Sequence, residues 1–186
     1  LPESLNQLNQ LKHLELSHNQ LTNLPEVITQ LRQLQSLTLW NNQLKNLPQA
    51  FSQLQKLEKL DLSDNQLETL PKILSQLPGL YVLEIANNQL KKLPEYIQEL
   101  TQLKELDIRN NQLTTLPTSI TKLQDLEHLI LGNNPFKKLP KIITQLNQLK
   151  HLSCYKIPLK KLPNALAKLS NLEQIAIDSN ILKVFG

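Results

Sequence analysis

His151, Ser153, Cys154 and Tyr155 stand together in the stretch HLSCYKIPLKKLP, and by type they are the residues of this chain best suited to covalent chemistry. A thiolate or hydroxyl activated by a histidine base is a nucleophile, provided the two come within hydrogen-bond reach. A second set invites a metal. His128 and His151 with Glu105 supply two imidazoles and a carboxylate, donors that zinc accepts. What either set can do depends on the backbone elements that carry it.

Those elements repeat. Leu-Pro recurs at Leu1, Leu24, Leu47, Leu70, Leu93, Leu116, Leu139 and Leu162, a spacing of 23 that never slips, so eight units form one domain over residues 1–186. Counted from Leu-Pro, positions 1, 8 and 11 are leucine, and positions 14, 16 and 21 are almost always leucine or isoleucine. The alternation at positions 14 to 16, as in Leu60, Asp61, Leu62, predicts a short strand with one buried face. Apolar positions 5 and 8 follow a proline that pre-sets the backbone, which predicts a helical turn or a short irregular helix. No unit is large enough to bury its own leucines. The units must stack into a solenoid around one shared core.

Position 19 is asparagine in seven units of eight: Asn19, Asn42, Asn65, Asn88, Asn111, Asn134 and Asn180. An amide both donates and accepts, so these side chains are expected to form a ladder bonding the backbones of neighbouring turns. The unit LPEYIQELTQLKELDIRNNQLTT meets the pattern LPxxIxxLxxLxxLxLxxNxLxx, with Ile108 standing for the leucine of position 16. In this the chain resembles the leucine-rich repeat proteins. It is most similar to bacterial members, and similar also to the repeats of Ras-binding scaffolds and Roco GTPases. The resemblance implies an α/β horseshoe of eight repeats, with a parallel sheet on the concave face and short helical or irregular turns on the convex face. It also implies a protein partner held on the concave face.

Strand alternation assigns the outward residues. If positions 14 and 16 point inward, positions 13, 15 and 17 line the concave sheet, stacked about 4.8 Å apart from unit to unit. Position 13 places His13, Lys59, Glu105, His128 and His151 there, position 15 Glu15, Asp61, Glu84 and Asp107, and position 17 Trp40, Arg109 and Tyr155. Three adjacent acids, Asp61, Glu84 and Asp107, cost a few tenths of a kcal/mol per like-charged pair. A partner with a basic surface would use that run; a solvated polar face, offset by Lys59 and Arg109, is the plainer reading. Trp40, the sole tryptophan, is either a partner contact or a ring lying over aliphatic stems.

The same alternation argues against catalysis. Cys154 falls on an inward position and His151 on an outward one, so they lie on opposite faces of one strand. Ser153 shares the face of His151, roughly 7 Å along the strand, without a carboxylate placed to orient the ring. Adjacent histidines on a flat sheet converge poorly on one ion and suit a partner interface better. Glycine-rich phosphate loops are absent, with only 3 glycines in 186 residues. No enzyme, metal, cofactor or small-molecule substrate is expected.

The net charge of +4 lies in the second half: residues 1–92 carry 8 basic and 8 acidic side chains, residues 93–186 carry 12 and 8. Lys91, Lys92, Lys137, Lys138, Lys160 and Lys161, with Lys45 and Lys183, form a stripe after the bend. Without interleaved aromatics it reads as solvated loops rather than a nucleic-acid site. No run is apolar enough to span a membrane. One cysteine makes no internal disulfide and agrees with a reducing compartment, so a cytoplasmic protein is expected, with a secreted effector or cell-surface protein as alternatives.

The first unit lacks a polar cap, and KVFG begins a ninth unit. A segment of a longer protein is expected, or ends covered by a partner or by self-association, and the alternative function is regulation within a larger signalling protein or effector. In unit seven, Cys154 replaces a core leucine and Ile157 the ladder asparagine, with Pro158 following. That predicts looser packing and a ladder broken between Asn134 and Asn180.

Overall fold

The computed structural model describes residues 2–157 and 163–178. Asn180, Pro158, Lys160, Lys161 and Lys183 lie outside the described residues, as does the end of the chain beyond Asp178. In each unit the Leu-Pro proline holds extended or near-extended backbone, and a five-residue 3-10 helix follows it, from Glu3–Gln7 to Asn164–Lys168. These helices close by i→i+3 bonds: the N–H of Ile28 donates to Pro25 O at 3.1 Å and that of Leu31 to Ile28 O at 3.1 Å. The anticipated helical turn is therefore of the tight 3-10 kind.

Three-residue strands come next: β1 His13–Glu15, β2 Ser36–Thr38, β3 Lys59–Asp61, β4 Val82–Glu84, β5 Glu105–Asp107, β6 His128–Ile130, β7 His151–Ser153 and β8 Gln174–Ala176. They form one open parallel sheet in chain order. The register pairs identical unit positions, as in Leu60 with Leu83 and Leu83 with Leu106. Backbone pairing continues past the strands, since the N–H of His18 donates to Trp40 O at 3.0 Å, 22 residues along, and the units through Asn133 repeat the contact, while the N–H of Lys156 donates instead to Asp178 Oδ2 at 2.9 Å. The leucines between the sheet and the 3-10 layer are closed to solvent, with Leu37, Leu83, Leu106 and Leu129 at 0 % exposure. At the first unit Leu8 stands 51 % exposed.

The bend after each of the first seven strands holds one residue in the left-handed region. His18, Asn41, Asp64, Asn87, Asn110, Asn133 and Lys156 all hold φ between 51° and 57°. Five of these are Asn or Asp, the non-glycine types best able to adopt it. The asparagine ladder then fastens bend to bend. Asn88 Nδ2 donates to Leu62 O of the preceding unit at 2.9 Å and to Ile85 O and Ala86 O of its own. Its Oδ1 accepts the N–H of Leu67 at 2.9 Å. Asn42, Asn65, Asn111 and Asn134 repeat this pattern, each accepting from the preceding unit.

At unit seven the ladder stops. Ile157 has no amide to offer, and the N–H of Phe136, which by period should reach the next unit, turns to Asn134 O at 2.8 Å. The backbone bend nevertheless survives, because Lys156 keeps φ 57° and β7 still pairs with β8. Ile157 and Cys154 are closed off at 1 % and 0 % exposure. Burial pushes the Cys154 thiol up to about 12. Its expected behaviour is inertness: Ellman's reagent at pH 8 should label under about a tenth of native protein over a time in which guanidinium-unfolded chain reacts fully. Rapid labelling of the native protein would contradict the burial.

Candidate protein-binding face

Outward residues of the eight strands share one face, but they are not equally free. His13, Glu15, Lys59 and Arg109 are exposed, whereas Asp61, Glu84, Glu105, His128 and His151 are half-buried by their neighbours. Trp40 is 37 % exposed and Tyr155 53 %.

Asp107 departs from expectation. It is only 3 % exposed, because its carboxylate turns back into the bend: Oδ1 accepts the N–H of Arg109 at 3.0 Å and Oδ2 meets Arg109 Nε at 3.2 Å. Asp61 does the same for Ser63, accepting its N–H at 2.8 Å. An aspartate two residues before the bend is short enough to cap it. Two of the three acids in the row are thus engaged with their own backbone, and Asp107 also aims the guanidinium of Arg109.

Glu84 is left as the strained member. It aligns with Asp61 on one side and Asp107 on the other. Burial, followed by Asp61, Glu105 and Asp107, raises its carboxyl above the ordinary 4.5, with Arg109 pulling the other way. A raised acid holds its proton to higher pH in the folded chain than in the unfolded one, so its ionisation destabilises the fold as pH rises through and above 4.5. Glu84→Gln is therefore expected to raise stability at pH 7 by a few tenths to about 1 kcal/mol, and the gain should vanish near pH 4. Urea unfolding at the two pH values checks the sign.

Trp40 is held rather than draped. Its Nε1–H donates to Asp64 Oδ2 at 2.6 Å, and its ring meets that of His18 edge-on with centroids 4.2 Å apart. His18 Nδ1 lies 2.7 Å from Asn41 Nδ2, and Asp64 Oδ2 also accepts from Asn87 Nδ2 at 2.9 Å. The residues of the bend thus grip the indole from both adjacent units. Reasoning from strand alternation missed His18 and Asp64, since it ended at position 17. The signal available was the asparagine and aspartate run at position 18. Lys59, expected to offset the acids, instead lies over the Tyr81 ring at 5.7 Å.

His128 and His151 are brought together as expected, with ring centroids 4.3 Å apart and 3.3 Å between Nε2 and Nδ1. Among the described residues no group of three or more His, Cys, Asp or Glu side chains is placed to hold a metal ion. Cys154 and His151 occupy opposite faces, the thiol closed off and the imidazole half-open. Of the basic stripe, Lys91 pairs with Glu68 at 3.4 Å on the surface. No described helix is long and apolar enough to cross a membrane.

A family model described as leucine-rich repeat region matches residues 2–106 and again 79–183. No curated protein sequence matches the chain. Among solved structures, a leucine-rich repeat protein of Leptospira interrogans superposes with TM-score 0.87 at 37% identity, over 96% of this chain and 47% of that one. The PEPR1–AtPEP1 crystal structure superposes with TM-score 0.73 at 25% identity, over 96% of this chain and 30% of that one. The chain therefore spans about half the length of the first and under a third of the second.

Proposed function

The chain belongs to the leucine-rich repeat family, and from that premise we propose that it is a protein-binding module whose concave sheet holds a protein partner. The mechanism is rigid display. Side chains fixed at about 4.8 Å intervals meet a complementary surface without first having to be ordered. The observation that carries this reading is Trp40, an open aromatic whose ring position is already set by Asp64 and His18. Aromatic residues held this way dominate the energetics of many interfaces.

The remaining contacts divide by charge. Glu84 and Glu105, with the exposed Glu15, would meet a basic patch on the partner. Arg109, His13, Lys59 and the pair His128 and His151 would receive its acids and carbonyls, and Tyr155 would provide a second aromatic contact. Asp61 and Asp107 serve instead by shaping the bends. Holding Glu84 among like charges that Arg109 offsets only in part costs stability, so a partner that brings a further cation there relieves that cost as well as making a new contact.

Quantitative recovery of the partner from lysate tests the reading. Trp40→Ala and the charge reversals Glu84→Arg and Arg109→Glu should each reduce recovery about tenfold or more, while the convex-side control Gln98→Glu leaves it unchanged. Equal recovery by all four variants and the parent chain would sink the concave-face assignment.

A further inference from the structure

Between His128 and Leu172 the chain carries eight lysines and no acidic residue. Three of them, Lys137, Lys138 and Lys141, line a single groove of about 430 Å³. The groove lies away from the concave sheet, between two successive connections that run from an asparagine bend to a 3-10 helix. Thr114, Thr115 and Leu116 form one wall, and the lysines with Pro140 and Ile142 form the other.

Its floor is apolar because one leucine is uncovered. At the first position of the unit, Leu24, Leu47, Leu70, Leu93 and Leu139 are at most 6 % exposed, whereas Leu116 is only partly buried against the core, as is Ile142. The three lysines are exposed, and among the described residues the ion pairs are Lys91 with Glu68, Arg109 with Asp107, and Lys150 with Glu127, so none involves them. An apolar recess rimmed by free ammonium groups is complementary to an acid-rich ligand that carries an apolar group.

We propose that this groove is a second docking site, separate from the concave face, for an acidic segment of a protein partner. The segment seats one apolar side chain between Leu116 and Ile142 and sets its carboxylates against Lys137, Lys138 and Lys141. A nucleic acid would satisfy the lysines, but its flat bases and sugar edges fill an aliphatic recess less well than a branched side chain does. A membrane surface would meet the exposed lysines but is too broad to enter between two loops.

Fluorescence anisotropy of the whole chain with fluorescein-labelled EEELEEE, EEESEEE and QQQLQQQ peptides provides the test, alongside labelled (dT)12 and phosphatidylserine vesicles. EEELEEE should bind about tenfold more tightly than either other peptide at low salt, since it alone supplies both the apolar contact and the charge, and its binding should weaken as salt is raised. The triple reversal Lys137→Glu, Lys138→Glu, Lys141→Glu should weaken it at least tenfold. Lys91→Glu with Lys92→Glu, on an earlier loop, should leave it within about twofold. Ile142→Gln should weaken EEELEEE several-fold and EEESEEE hardly at all; because Ile142 also packs on the core, a circular-dichroism melt accompanies it, and if that variant unfolds the lysine reversals decide alone. Equal binding of EEELEEE and EEESEEE overturns the proposal, as does indifference to the triple reversal. Preferential binding of the oligonucleotide or the vesicles, lost in the same triple variant, overturns the choice of a peptide segment.

Discussion

Replacing Asn88 with alanine should lower the unfolding free energy by about 3 kcal/mol, whereas the same change at Asn19 should cost well under about 1 kcal/mol. The difference lies in what each amide leaves behind. At Asn88 the carbonyls of Leu62, Ile85 and Ala86 each keep another donor, from Asn65 Nδ2, Asn111 Nδ2 and the N–H of Asp64 respectively. The N–H of Leu67 keeps none, because Asn88 Oδ1 is its partner, and Leu67 is fully buried. An orphaned buried N–H accounts for about 1–3 kcal/mol, and the small cavity adds the rest. Asn19 is exposed, bonds only Leu16 O and Ser17 O of its own turn, and Leu16 O retains Asn42 as a donor. Urea unfolding of the two variants side by side decides it: a loss at Asn88 as small as that expected at Asn19 would show that the ladder is decoration on a fold held by leucines alone.

Phe136→Ala is expected to cost about 3–5 kcal/mol, the usual loss for a buried phenylalanine. Its location makes the consequence regional. Phe136 is 0 % exposed at the point where the asparagine ladder ends, since its N–H bonds Asn134 O instead of a side chain of the next unit. In a solenoid, stability is a sum of unit and interface contributions, and here the interface has already lost its polar bond. Removing the ring should therefore release units seven and eight before the rest. Hydrogen exchange should accelerate at Leu152 and Cys154, and remain slow at Leu60 and Leu83. Uniform acceleration along the chain would show instead that the eight units unfold as one.

The break at Ile157 was legible in advance, and so were the inward Cys154 and the adjacency of His128 and His151. All three follow from one property. In a stack of identical units, spatial neighbours lie one period apart in sequence, so spacing translates directly into distance and face. The role of Asp107 was not legible. Alternation places a residue on a face, but a short carboxylate can leave that face to cap a bend, and the N–H of Arg109 drew it back. Glu84, one methylene longer, stays outward and bears the repulsion.

By itself the sequence determined the unit length, the order and register of the strands, the tight turn after each proline and the amide ladder, because each depends on local residue types repeated at a fixed interval. Tertiary structure alone decided which outward side chains are free. The grip of Asp64 and His18 on Trp40, the seat of Lys59 over Tyr81 and the partly uncovered Leu116 beneath its lysine rim all depend on how far side chains reach toward the next unit and which partner they take there. Rotamer choice and depth of burial vary from unit to unit while the period stays constant, so the repeat encodes the scaffold, and the packing between repeats selects the surface it presents.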